Sequence, residues 1–96
     1  MAARNTTLTL TQDDWTQLTD NDVTAITFQN LGPGDILVKS TTDTTKPTDF
    51  TGAIRYASGQ GERNATLADL FPGLTGRDRV WAFSTAPTPV FVSHLA

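Results

Sequence analysis

Along this chain apolar residues alternate with polar ones in short runs, each cut by glycine, proline, aspartate or asparagine before it reaches helical length. Thr6-Thr7-Leu8-Thr9-Leu10-Thr11 sets Leu8 and Leu10 on one face with period two, the mark of a half-buried strand. Asp13-Asp14 breaks that run, Trp15 and Leu18 resume it, and Asp20-Asn21-Asp22 is a turn cluster. Residues 25–30 carry Ile26 and Phe28 on one face and Ala25, Thr27 and Gln29 on the other. Val23 has the wrong parity for this run, so either the strand begins at Ala25 or a bulge intervenes.

Leu31-Gly32-Pro33-Gly34 is a turn, with proline preset for a bend and glycine free to take positive φ. Residues 35–40 follow with Ile36 and Val38 inward, so 25–30 and 35–40 are predicted to pair as a hairpin, with Gly32 or Gly34 at positive φ. Residues 40–51 carry Pro47 and no large apolar residue but Phe50, and read as an exposed loop, with a disordered threonine tract as the alternative. A short strand at 53–57 sets Ile54 and Tyr56 on one face, Ser58-Gly59-Gln60-Gly61 turns the chain, and 63–67 runs back. One helical turn near 67–71 is closed by Pro72. Two strands end the chain, at 79–84 and 90–94.

Seven or eight short strands at this spacing predict an all-β fold, a small antiparallel sandwich or barrel of jelly-roll or immunoglobulin-like type. Residue usage agrees. Eighteen of the 96 residues are threonine, at home on a pleated, half-solvated surface, while glutamate occurs once and lysine twice. The expected organisation is a flexible arm at 1–5 and a single domain at 6–96. A chain of this length buries roughly 60–65% of the surface its unfolded form exposes, enough for one core and little more.

Several function classes fall to simple counts. No cysteine is present and His94 is the one histidine, which removes disulfides, thiolate chemistry and multi-histidine metal cages. A net charge of −3 argues against nucleic acid and anionic membrane as partners. No apolar run reaches membrane-spanning length, and the N-terminus has no signal-peptide core.

The candidate motifs read as structure. Gly59-Gln60-Gly61 opens like a phosphate loop, but Asn64 stands where a third glycine belongs and no long helix follows, so it is a turn. His94 has no nucleophile elbow or orienting carboxylate beside it in sequence and is expected to be an ordinary strand residue. Asp13/Asp14, Asp20/Asp22 and Asp43/Asp49 are assigned turn and capping roles, since the Asp20-Asn21-Asp22 cluster lacks the glycine and closing glutamate of a calcium loop. The sequons Asn5-Thr6-Thr7 and Asn64-Ala65-Thr66 are expected to stay unmodified. No catalytic, cofactor-binding or metal-binding residue is assigned.

Aromatic residues give the candidate interface: Trp15, Trp81, Phe83 and Phe91. In Val80-Trp81-Ala82-Phe83 both faces of one strand are apolar, so one set is expected to face solvent in the monomer and to meet another copy or a partner. Core packing is the competing reading for each ring, and stacking of Trp15 or Trp81 on a sugar is another.

Taken together, Ile26-Thr27-Phe28-Gln29-Asn30, Gly52-Ala53-Ile54-Arg55-Tyr56, Gly59-Gln60-Gly61-Glu62-Arg63-Asn64 and Leu67-Ala68-Asp69-Leu70-Phe71-Pro72-Gly73 carry a family resemblance. With Trp15 and the closing Val90-Phe91-Val92-Ser93-His94, they resemble small β-rich virion proteins of tailed bacteriophages and phage-like particles, over most of residues 8–94. The resemblance implies a non-enzymatic structural protein without cofactor, on the outer surface of the head and made in the host cytoplasm. It would be a decoration or cement subunit bound in many copies to the major capsid protein or other virion proteins. A tail, connector or spike component and a carbohydrate-binding module are the alternatives. A homo-oligomer is expected, a trimer first, because shell three-folds offer that symmetry.

Overall fold

The computed structural model describes residues 4–20, 22–42, 44–71 and 79–94. Its strands are β1 (Arg4–Leu10), β2 (Asp14–Gln17), β3 (Ala25–Asn30), β4 (Ile36–Thr41), β5 (Ile54–Tyr56), β6 (Gly61–Thr66), β7 (Arg79–Ser84) and β8 (Thr88–His94). One helical turn, α1 (Leu67–Leu70), is capped by Thr66, whose hydroxyl accepts from the Asp69 amide at 3.3 Å. The all-β sandwich expected from the strand rhythm is what forms, with the helical turn in its expected place.

The strands make two antiparallel four-stranded sheets, ordered β1-β8-β3-β6 and β2-β7-β4-β5. In each sheet the outer partners obey one rule: β1 pairs with β8, β2 with β7, β3 with β6 and β4 with β5. The chain thus doubles back once, between β4 and β5, and the two halves run side by side as one long ribbon wound into two layers. That is the jelly-roll connection, not the immunoglobulin one. Every other described connection between consecutive strands passes from one sheet to the other.

The predicted hairpin of 25–30 with 35–40 is therefore corrected. β3 pairs with β6 and β8 in one sheet, and β4 with β5 and β7 in the other. The turn at 31–35 carries the chain across the sandwich, so it has no need of a hairpin's left-handed glycine. Positive φ falls instead at Gly52, Gly59, Asp13 and Asn64. Gly32 is required for another reason: a Cβ there would lie 2.6 Å from the Thr88 Cγ2. The expected arm is corrected too, since Arg4 and Asn5 are strand residues opposite His94 and Ser93. Residues 1–3 lie outside the described residues, as does the proline expected to close α1.

Between the sheets lie Leu10, Ile26, Phe28, Val90 and Val92 from one layer and Ile36, Val38, Tyr56, Val80 and Ala82 from the other. Phe28 meets Tyr56 edge-on at 4.9 Å, a geometry that sets ring edge against ring face across the interior. Val23 is buried ahead of β3, which begins at Ala25. β6 carries an irregularity opposite Thr27, where Glu62 pairs with Phe28 and Ala65 with Ile26, leaving Arg63 and Asn64 to bulge. Asn64 takes the left-handed conformation that asparagine tolerates, and its amide is satisfied by the Thr27 hydroxyl at 2.7 Å.

The most connected polar group inside is Asn30, fully buried at the end of β3. Its Nδ2 donates to the carbonyls of Gly34 at 2.7 Å and Tyr56 at 3.2 Å, and its Oδ1 accepts from the Gly32 amide at 3.0 Å. Its backbone amide and carbonyl bond to Gln60 and Gly59 in the β5–β6 turn. One side chain thus ties together the 31–35 crossing, the end of β5 and the following turn.

Asn30→Ala is expected to cost about 2–4 kcal/mol in urea unfolding, because it strands the buried Gly32 amide and Tyr56 carbonyl. A second pair of variants checks the backbone packing. At Gly61 a Cβ would stand 2.0 Å from the Phe28 carbonyl oxygen, whereas nothing lies within 4 Å of one at Gly34. Gly61→Ala should lower Tm strongly while Gly34→Ala leaves it near wild type. Equal melting of the two would contradict the β3–β6 register.

Candidate interaction surface

On the outward face of the second sheet, the register lines up Trp15, Phe83, Leu37 and Arg55 in one row across β2, β7, β4 and β5. Gln17, Trp81 and Lys39 form the next row. Both faces of β7 are apolar, as its sequence requires, and the inward set is Val80 and Ala82. The outward set is covered from within the chain. Between β4 and β5, residues 44–53 form a strap whose Phe50 lies against Phe83 and the neighbouring Trp15.

Phe50 seats the strap. Its ring lies 5.7 Å from Trp15 and 4.8 Å from Phe83, edge-on to the latter, and Trp15 and Phe83 are 5.5 Å apart. Pro47 is the one buried residue of the strap's exposed run 44–51. Two ion pairs hold the middle of the strap: Lys46 Nζ to Asp14 at 3.0 Å and Lys39 Nζ to Asp49 at 2.6 Å. The Trp81 indole N–H donates to the Thr41 hydroxyl at 2.8 Å. The reading of 40–51 as an exposed loop holds for most of its described residues and needs correction at its start and at Pro47, which is buried. Ser40 and Thr41 belong to β4, and the remainder is a strap whose apolar anchors, Pro47 and Phe50, were the two exceptions to its threonine-rich composition.

The four candidate interface residues do not form one patch. Trp15 is 6% exposed and Trp81 5%, so neither indole offers a free face, whereas Phe83 is partly open and Phe50, missed in the sequence reading, is 51% exposed. Phe91 lies on the other sheet, in register with Thr7 and Gln29. There it lines a shallow cavity of about 390 Å³ with Thr27, Gln29, Gly61, Glu62 and Arg63. Glu62 accepts a hydrogen bond from the Tyr56 hydroxyl at 3.1 Å. Burial, and then this carboxylate, push the Tyr56 hydroxyl well above the ordinary phenol range.

The remaining polar motifs are placed as structure. Gly59-Gln60-Gly61 makes the β5–β6 turn, closed by the Gln60 amide on the Ala57 carbonyl at 3.0 Å. His94 ends β8 with its side chain fully buried, 3.4 Å from an Asp20 carboxylate oxygen. Arg79 grips Asp22 at 2.6 Å, and Asp13 turns the chain out of β1, its amide on the Ser84 carbonyl. Asp43 lies outside the described residues. Among the described residues no group of three or more histidine, aspartate or glutamate side chains could hold a metal ion, and no helix is long and apolar enough to cross a membrane. Compared with family profiles, with curated proteins and with solved structures, the chain finds no match.

The strap's clamps set an expected pH dependence. Lys46 holds the Asp14 carboxyl below the ordinary carboxylate range, and Lys39 does the same for Asp49. A depressed carboxylate favours the folded strap at all pH above its unfolded value and loses that effect as pH falls through its folded one. Apart from the half-buried Lys39 the paired side chains are solvent-exposed, so the effect is local. Acidification below the ordinary carboxylate range, or the double change Asp14→Asn and Asp49→Asn at neutral pH, should red-shift tryptophan emission with only a small change in Tm. Emission unchanged in both cases would mean the ring contacts alone hold the strap.

Proposed function

We propose that this chain is a non-enzymatic structural protein of a virion or phage-like particle, a decoration subunit bound in many copies to the major capsid protein on the outside of the head. The observation that carries the reading is the jelly-roll strand order, an architecture used by viral capsid and lectin domains. This is a fold-level analogy, and it agrees with the virion resemblance of the sequence. The partly open Phe50–Phe83 surface offers a second support, an apolar spot rimmed by threonine and charged side chains, suited to a contact that excludes water without a large hydrophobic slab.

No second copy is needed to bury Trp81, which is 5% exposed within its own chain, and Phe50 already covers part of Phe83. The sugar-stacking reading loses its indoles for the same reason: Trp15 and Trp81 lie under their own chain. A tail, connector or spike position is the reading that competes, and copy number separates it.

Particles purified from cells that make the protein should carry it at hundreds of copies, counted by quantitative mass spectrometry against the major shell protein. Six or twelve copies would move it to the tail or neck, and none would sink the virion reading. Phe50→Ser is expected to reduce particle occupancy while the isolated chain keeps its far-ultraviolet circular dichroism.

A further inference from the structure

A sandwich of two open sheets has four edges, and three of them here are blunted. β5 is three residues long and carries the charged Arg55 outward. β2 is four residues long, enters from the left-handed Asp13, and is clamped by the Asp14–Lys46 ion pair. β6 is broken by the Arg63–Asn64 bulge and carries Glu62 and Arg63. Short length, charge and bulges are the devices that keep sheet edges from pairing with other chains.

β1 has none of them. It is seven residues long and pairs with β8 in unbroken register from Arg4 to Leu10. After Arg4 it carries no charge, no proline and no glycine. It is the terminal strand of its sheet, and among the described residues no backbone hydrogen bond outside its ladder with β8 reaches Arg4–Leu10. Its unpaired amides and carbonyls are a ready template.

We propose that β1 is a pairing edge, and that its occupant is β1 of a second copy, antiparallel about a two-fold axis through Thr7. In that arrangement the pleat stays in phase across the axis and sets no two like charges opposite one another. Thr7 meets Thr7, Thr6 meets Leu8, Asn5 meets Thr9 and Arg4 meets Leu10, so each copy's exposed Asn5, Thr7 and Thr9 continue one polar face and its half-buried Thr6 and Leu8 the other. The two Arg4 residues stand six positions apart along the paired strands, about 20 Å, beyond the screening length of physiological salt. The result is an eight-stranded sheet across two copies. A seven-residue strand pair buries less than the roughly 1,200 Å² of a stable dimer, so the association is weak in dilute solution and fills at high local concentration. The inference stands independently of the virion reading.

The test places charge on the axis, on a side chain that is solvent-exposed in the single copy. Sedimentation of the wild type over a rising concentration series should show a monomer–dimer equilibrium. Thr7→Lys alone and Thr7→Glu alone should each weaken it roughly tenfold or more, through like charges directly opposite. Mixing the two variants should restore a heterodimer. Because the chain has no cysteine, Thr7→Cys supplies a second readout. Oxidation should link two copies through Cys at this position far faster than a Thr51→Cys control in the exposed strap. A wild type that stays monomeric with no faster linking at Thr7 than at Thr51 overturns the proposal, as does a dimer that Thr7→Lys and Thr7→Glu leave unchanged.

Discussion

At the Asn30 end, the sandwich hangs on one fully buried amide. A jelly roll must carry its chain between two sheets repeatedly, and each crossing brings backbone groups to a place where neither ladder can satisfy them. Asn30 answers for three such places at once, with both Nδ2 hydrogens and Oδ1 engaged inside the protein. An apolar residue of the same size would fill the space and leave the crossing's amide and the β5 carbonyl bare. The low local dielectric that makes such bare groups costly also strengthens the bonds that are made. The side chain is thus both stabilising and specifying: it fixes which segments lie together where the pattern of apolar residues is silent.

The ribbon rule gives the fold a second constraint. Strands β1 and β8 are paired from the two ends of the chain, and β2 with β7 lie nearly as far apart in sequence. Such non-local pairing means that loop-closure entropy must be overcome before most ladders form, the condition under which folding is slow. Among the described residues the only ladder between consecutive strands is β4–β5, and its connection is the strap. The same segment that closes the shortest-range ladder also sets Phe50 against Trp15 and Phe83, so local hairpin formation and those ring contacts favour one another.

Much of this was legible from the residues, and the parts that were not share a cause. Alternation reports which side chains face inward, and the inward sets of β1, β3 and β4 follow it. Turn residues report where the chain reverses. Neither reports whether the reversal stays in one sheet, so Gly32-Pro33-Gly34 read as a hairpin when it is a crossing. The dual apolar faces of Val80-Trp81-Ala82-Phe83 were read as leaving one set to solvent for another copy to meet, whereas Trp81 is buried within the single chain and Phe50 lies against Phe83. Phe50 and Pro47 were the signal, two apolar groups in a tract otherwise built for solvent. Asn30 gave no signal at all, because an asparagine at a strand end reads as an ordinary turn residue.

Threonine connects these features. Hydroxyl-bearing, β-branched side chains make strands without adding charge, and here charged residues are only 18% of the chain against about 25% in average proteins. A surface built this way loses the mutual repulsion that ordinarily holds copies apart, and it keeps strand edges flat where a lysine would spoil them. The molecule places its few charges accordingly. Lys39, Lys46, Asp14 and Asp49 clamp the strap, Arg55, Glu62 and Arg63 guard two edges, and Arg79 and Asp22 meet at the start of β7. None past Arg4 falls on β1. Where so few charges are available and the other edges hold or are blunted by them, the neutrality of the longest open edge is the feature most at odds with a protein that must stay apart from its neighbours, and most in keeping with one that works beside them.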